Sequence, residues 1–551
     1  MSANSSAMSQ RAHFWLTLCV GLFCFWVPPA QAVDVPLDPA LRMQDELRRA
    51  ERSMPFPPVV SRPETAEPLQ LPEGPMLKGQ IFLKEVVFSA SQLLSDAQLR
   101  SVVKPYLGRD VGSEDLNALL RDIQAMYLAL GVESAVPMVP PQDLQTGVLK
   151  VLLVEGRLGE VRFKGSDKPD ATWLARWFDL PPGDVIRPEP LGRRLDLFNA
   201  SSDYAAEGQY VAGQSFGTSD LEVTVPETAA TQYWAMGELP GVGSGRTLGN
   251  SLIMGFRHYP VSSVGGRIDG MAIQGPTATT LSLSGGLPIG QQGWRIGANA
   301  STSRSRTVVA STDPAKSDLL IEGASSVFSL ELIRHLYLLP GQMWKFSGAL
   351  SQVYSNSQAA GATLTDRSVQ RATLAASTDW VVDPASGAER ATFRGALNSA
   401  KGPANSFAYA EVFGTVAYRL ANPQGPVLRA NAQARFLDSR TPDVSDVWLA
   451  GGSASVRGFD LGSVSGRSGQ ALQVALYQAL PWKEVDSPEA FVFVDQGRAV
   501  KDDIAHRIGS AGVGMQFQVN RRWAIETALT HQTQGFQGPR TRALLKASAS
   551  W

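Results

Sequence analysis

Little in this sequence can cross-link a fold. The chain has two cysteines in 551 residues, Cys19 and Cys24, and both fall in one apolar stretch near the amino terminus. Its five histidines (His13, His258, His335, His506 and His531) are scattered without metal-ligand spacing. No P-loop is present to cradle a nucleotide. Fifty Lys and Arg are offset by 51 Asp and Glu, a net charge of −1, so there is no basic footprint and no nucleic-acid partner is expected. Past Ala32 no apolar run approaches the roughly 18 residues of a membrane helix. If the chain enters a membrane beyond that point, only a closed β-barrel can satisfy its backbone.

Enzyme signals are weak. Gly213-Gln214-Ser215-Phe216-Gly217 fits the hydrolase pattern GxSxG formally. It lacks the strand-then-helix elbow that would expose the serine as a nucleophile. No catalytic residue, metal or cofactor is expected.

What is there begins with an export signal. Arg11 supplies the positive charge, Phe14 to Val27 the apolar segment, and Ala30-Gln31-Ala32 a small-residue cleavage site. Residues 1–32 therefore read as a signal peptide, and the expected mature chain has no cysteine. Its stability then rests on packing or on a closed hydrogen-bonded sheet.

Residues 33–53 carry a short helix, Asp38 to Ser53, with Asp38 suited to the N-cap and Pro39 to the first turn. Few apolar residues lie on any face, so it is either a solvated tail or a helix resting in a polar cavity. Seven prolines between Met54 and Met76 make residues 54–78 an extended linker. Residues 79–156 then read as a small α/β unit. Ile81 to Phe88 is a strand, Asp96 to Tyr106 a helix, and Ser113 to Leu130 a second helix with Ser113 as N-cap. That helix carries Leu116, Leu119, Leu120, Ile123, Met126 and Tyr127 at helical spacing. Strands follow near Ser134 to Val139 and Val148 to Val154. Residues 157–228 repeat the layout, with strands at Glu160 to Phe163 and Leu221 to Val225 around helices at Trp173 to Phe178 and Leu191 to Ala200.

From about Thr231 to Trp551 helical signals nearly vanish. Leu428, Ala430, Ala432, Ala434 and Phe436 alternate with Arg429, Asn431, Gln433 and Arg435. Trp344, Phe346, Leu350 and Tyr354 alternate with Lys345, Ser347 and Ser351, and Ala543 to Trp551 ends the chain on an aromatic. Alternation alone fits a soluble sandwich or a barrel whose apolar face meets lipid. The export signal, the missing cysteines, the length of the strand pattern and the many small residues favour a barrel over 229–551.

Two motifs turn this into a resemblance. Val456-Arg457-Gly458-Phe459 resembles the VRG(F/Y) tetrad of the POTRA-plus-barrel superfamily, and Phe493-Val494-Asp495-Gln496-Gly497 its FxDxG strand motif. With two POTRA-like units ahead of the barrel, the chain is similar to the two-partner secretion transporters (TpsB). Tyr127, Gly131, Pro140-Pro141-Gln142-Asp143-Leu144, Gly147 and Val154-Glu155-Gly156 resemble the first unit's pattern. Gly217, Ser219-Asp220-Leu221 and Val223 resemble the end of the second. Three features depart: the last residue is Trp551 where phenylalanine is commoner, Gly466 to Gln470 carries no acidic residue, and the first strand region, around Glu238 to Leu248, is a poor match.

The resemblance implies an α+β region followed by an antiparallel barrel of about 16 strands. It implies an inward-folded loop around 450–470 whose Arg457 meets Asp495 on the wall. The region Gln80 to Val225 would bind an unfolded client, an exoprotein with an amino-terminal secretion domain, and Trp551 would serve as the assembly signal. Outer-membrane lipid and, during biogenesis, the barrel-assembly machinery are the other implied partners. A barrel-assembly factor of the same superfamily, a passive porin, and a secreted enzyme or adhesin built on a sandwich are the alternatives.

Overall fold

The structure is a computed structural model. It describes residues 38–53 and 79–551, apart from positions 133, 166–168, 187, 228–230, 243–250, 310–318, 340–341, 382–387, 404, 421–423, 438–442, 444–445, 483–484, 521 and 537. The expected signal peptide and the proline-rich linker lie outside the described residues. The chain divides into two compact units, one holding the amino-terminal helix with the barrel and the other holding the α/β segments.

The amino-terminal helix α1 runs Pro39–Ser53. Asp38 Oδ1 accepts the Ala40 N–H at 2.8 Å, which satisfies a donor the helix cannot.

The first α/β segment comprises β1 (Ile81–Leu83), β2 (Glu85–Phe88), α2 (Asp96–Val103), β3 (Arg109–Val111), α3 (Ser113–Ala129), β4 (Ala135–Met138) and β5 (Val148–Glu155). Its sheet has the order β2-β5-β4, with β1 and β3 paired separately. Leu116, Leu119, Leu120, Ile123 and Tyr127 of α3 are all buried in the core, as their spacing requires.

Three boundaries differ from expectation. The strand expected over Ile81 to Phe88 breaks at Lys84, where the N–H groups of Lys84 and Glu85 both donate to the Gly147 carbonyl. The helix expected to Tyr106 ends as α-helix at Val103 and finishes in a 3-10 turn, Lys104–Tyr106, because Pro105 has no N–H to continue the ladder. Gly112, not Ser113, is the N-cap of α3, and its N–H donates to Asp115 at 3.0 Å.

The second segment comprises β6 (Arg157–Gly165), α4 (Ala171–Trp177), α5 (Pro188–Ser202), β7 (Glu207–Ala212) and β8 (Thr218–Val225). Its sheet order is β6-β8-β7. In each three-stranded sheet the strand earliest in the chain (β2 or β6) runs parallel to the last, and the last pairs antiparallel with the one before it. Strand β7 was not expected from the sequence. Its Gly208 interrupts the pattern, and that glycine lets Leu195 approach: a Cβ there would sit 2.9 Å from Leu195 Cδ1.

The barrel strands are β9 (Thr231–Val242), β10 (Ser251–His258), β11 (Arg267–Gln274), β12 (Ala278–Ile289), β13 (Trp294–Val309), β14 (Leu319–Leu339), β15 (Gln342–Ala359), β16 (Ala362–Val381), β17 (Ala388–Lys401), β18 (Ser406–Arg419) and β19 (Val427–Leu437). A short pair, β20 (Trp448–Ala450) with β21 (Val464–Gly466), lies in the following connection. The wall resumes with β22 (Ser468–Ala479), β23 (Asp486–Lys501), β24 (Ile504–Val519), β25 (Trp523–Gln534) and β26 (Thr541–Ser550). Sixteen antiparallel strands close when β26 pairs with β9.

Burial decides between sandwich and barrel. Leu350, Leu374 and Leu397 are 65–68% exposed, whereas Thr280, Ser303 and Ser510 are at most 1% exposed. Large apolar side chains face out and small polar ones face in, the arrangement of a sheet that meets lipid rather than water.

Candidate functional site

The connection between β19 and β22 folds back against the inner face of the wall. Val456 and Phe459 are buried with Trp448, Ala450, Val464, Ala471, Ala499 and Ile508. This apolar cluster joins loop to wall. Gly497 is small because of it: a Cβ there would lie 2.8 Å from Val456 Cγ2.

The structure brings Arg457 and Asp495 together. Arg457 Nε donates to Asp495 Oδ2 and its Nη2 to Oδ1, both at 2.7 Å, and the Arg457 backbone N–H also donates to Oδ2 at 2.9 Å. The guanidinium lies 3.6 Å from the centre of the Phe493 ring. Arg457 is 8% exposed and Asp495 1%. The fork-to-fork geometry fixes orientation as well as distance. Gly458 has φ of +81°, and a Cβ there would fall 2.7 Å from Thr530 Oγ1, so backbone and space both demand glycine. Its carbonyl accepts from Gln532 Nε2 at 2.8 Å. Phe493, Asp495 and Gly497 share one parity of β23 and face inward, while Val492 and Val494 are more than half exposed outward.

A second set of contacts escaped the sequence reading. It holds the loop earlier, at Asp443 and Asp446, before the 450–470 span expected to fold inward. Arg367 Nη1 meets Asp443 Oδ2 at 2.8 Å and Arg371 Nη2 meets Asp446 Oδ2 at 2.7 Å. Arg435 Nη1 donates to the Asp446 carbonyl at 2.8 Å, and Tyr409 Oη donates to its carboxylate at 3.0 Å. Arg435 also pairs with Glu411 and stacks on the Tyr409 ring. The available signal was Arg435 on the polar parity of β19, a charge that needs a partner inside a barrel.

Helix α1 lies on the same inner face. Arg42 Nη1 donates to Thr277 Oγ1 at 2.6 Å, Thr280 Oγ1 to Glu46 Oε2 at 2.7 Å, and Ser355 Oγ to Asp38 Oδ1 at 2.8 Å. Ala40, Leu41 and Met43 are fully buried. The helix thus meets the wall in two ways: its polar side chains bond wall hydroxyls, and Ala40 packs with Val353, Val369, Ala400 and Phe407.

In the soluble region the residues that carried the resemblance hold strands in place. Glu155 accepts from Ser91 Oγ at 2.5 Å, from the Gln92 N–H at 3.0 Å and from Tyr127 Oη at 3.0 Å. Burial alone would raise the Glu155 pKa, but the hydrogen bonds from Ser91, Gln92 and Tyr127 outweigh it and hold the carboxyl below its ordinary range. Gln142 bonds both the N–H and the carbonyl of Lys150 at 2.7 Å. Asp220 Oδ1 accepts the Glu160 N–H at 2.9 Å, and Oδ2 meets Arg162 at 2.7 Å. Trp551 lies just past β26, exchanging backbone hydrogen bonds with Tyr233 at 2.8 and 3.0 Å beside the barrel's closure. Among the described residues no group of three or more His, Cys, Asp or Glu could hold a metal.

A closed sixteen-strand barrel with a lipid-facing exterior, preceded by a POTRA domain region, defines an outer-membrane protein whose amino-terminal region faces the periplasm. Residues 81–156 match the family model for the ShlB-type POTRA domain, and residues 274–517 that of the haemolysin secretion/activation protein ShlB/FhaC/HecB. The chain belongs to the two-partner secretion transporter family. It is 26% identical over 196 residues to the outer membrane transporter CdiB of Escherichia coli O6:K15:H31, covering 35% of this chain and 31% of the relative. It is 24% identical over 172 residues to the heme/hemopexin transporter protein HuxB of Haemophilus influenzae, covering 31% and 30%. The match thus spans about a third of the length of these curated relatives. The solved structure of CdiB from Escherichia coli superposes with a TM-score of 0.65 at 16% identity, covering 94% of this chain and 100% of that one.

Proposed function

We propose that this protein exports one large partner exoprotein, of the haemolysin, adhesin or contact-dependent toxin type, from periplasm to cell surface. The observation that carries the reading is the occupied lumen. A porin needs an open channel, whereas here a helix and a loop are both hydrogen-bonded to the inner wall. In this reading α1 and the loop are resting occupants that leave or shift when a client enters. Residues 157–228 act as a second POTRA-like domain, on the strength of the repeated sheet order. The client's amino-terminal secretion domain adds a strand to an open sheet edge, a mode that suits an unfolded chain because backbone bonding carries the affinity. No nucleotide drives the step; the client's folding outside supplies the bias. Complete passage of a client that cannot fold would refute that driving force.

Arg457→Ala tests the loop. Removing one partner of an enclosed pair costs roughly 3–5 kcal/mol, so the loop should lose its seat while the barrel, held by its wall, stays inserted. Export of the partner should stop. Normal secretion by this variant would sink the reading. Deleting the gene should remove one protein from the medium; broad loss of outer-membrane proteins would mean a barrel-assembly factor instead.

A further inference from the structure

We propose that helix α1 and the inward loop are coupled through Tyr409, so that departure of the helix loosens the loop at its Asp446 root and leaves the Arg457 seat intact. Tyr409 has two duties. Its ring packs in one buried cluster with Ala40 of the helix and with Val353, Val369, Ala400 and Phe407 of the wall. Its hydroxyl donates to the Asp446 carboxylate at 3.0 and 3.1 Å. Taking the helix away would open the cluster that holds the Tyr409 ring and admit water beside Asp446. An ion pair opened to water keeps little of what enclosure gave it. The partners of Arg457 are different. Asp495, Phe493 and Thr530 lie on β23 and β25 of the wall, so that seat does not depend on the helix. The loop would then release from its root first.

The inference rests on the reading of α1 as a removable occupant, but its test needs no secretion. In the full-length chain in membranes, Val447→Cys beside Asp446 reports the root and Ser463→Cys reports the far side of the tetrad, each by its rate with an impermeant maleimide. Deleting residues 38–53 should speed labelling at Val447 on the order of tenfold, the size of an ordinary site-to-site coupling, with no change at Ser463. Tyr409→Phe should raise the Val447 rate with the helix present, and the deletion should add far less in that background. Should the deletion hinder insertion, Ala40→Glu displaces the helix with the same readout. Equal Val447 rates with and without the helix, or equal acceleration at both sites, would overturn the coupling. Coupling without export would leave this inference standing and the exporter reading in trouble.

Discussion

In the α/β segments leucines and valines form two buried cores, and in the barrel leucines cover the outer surface. Leu119 of α3 is 0% exposed and Leu374 of β16 is 67% exposed. The polar groups trade places: Arg109 and Asp115 form a surface pair in the soluble region, while Arg457 and Asp495 are enclosed in the barrel. One chain thus carries two opposite rules for the same residue types, because its two halves meet different solvents. A leucine in the first gains by leaving water for a packed interior. A leucine in the second gains by facing lipid, and leaves the lumen to hydroxyls and paired charges.

The largest break in that comparison should come from Leu119→Ala. A closed core cannot relax around a lost side chain, so about 2–5 kcal/mol should disappear. Protease digestion of the intact chain should cut the soluble region sooner, with the barrel fragment unchanged. Equal resistance would mean that Leu119 is not in a close-packed core.

Next is Leu374→Arg. Near the middle of a lipid-facing strand an arginine costs about 2–4 kcal/mol, and the inserted, heat-modifiable fraction should fall. An exterior bathed in water would accept the arginine without loss, so unchanged insertion would break the comparison outright.

How much of this was legible depended on period and contact range. Alternation at Leu428 to Phe436 placed Phe436 outward and Arg435 inward, where they are, since parity is local. The tetrad and FxDxG motifs brought Arg457 and Asp495 to attention across 38 positions only through a resemblance. The Asp446 clamp draws on β16, β18 and β19, and no short-range pattern announces three strands converging on one carboxylate. The break at Lys84 was hidden for the same reason, because its cause is the carbonyl of Gly147, far along the chain.

A smaller effect should appear at Glu155. Its folded pKa lies below the ordinary 4.5, so its contribution is present in full above the unfolded carboxyl range. That contribution is lost as pH falls through the lowered folded value. Protease resistance of the soluble region should hold from neutral pH to about 4.5 and then decline. Glu155→Gln should be less resistant at neutral pH and flatter below it. A variant with the same acid profile as the parent would show that the Ser91–Tyr127–Glu155 contact is not what titrates.

The smallest effect is the sharpest control: Leu374→Ala, the same truncation as Leu119→Ala in the other solvent. Lipid chains flow into the space that a packed core would leave empty, so no cavity term remains. What is lost is the side chain's own preference for the membrane interior, about 0.3–0.6 kcal/mol for leucine at depth. The barrel's denaturant midpoint should shift barely at all. A loss as large as that at Leu119 would mean that Leu374 packs against protein, and its exposed face would then be an interface between copies rather than a surface for lipid.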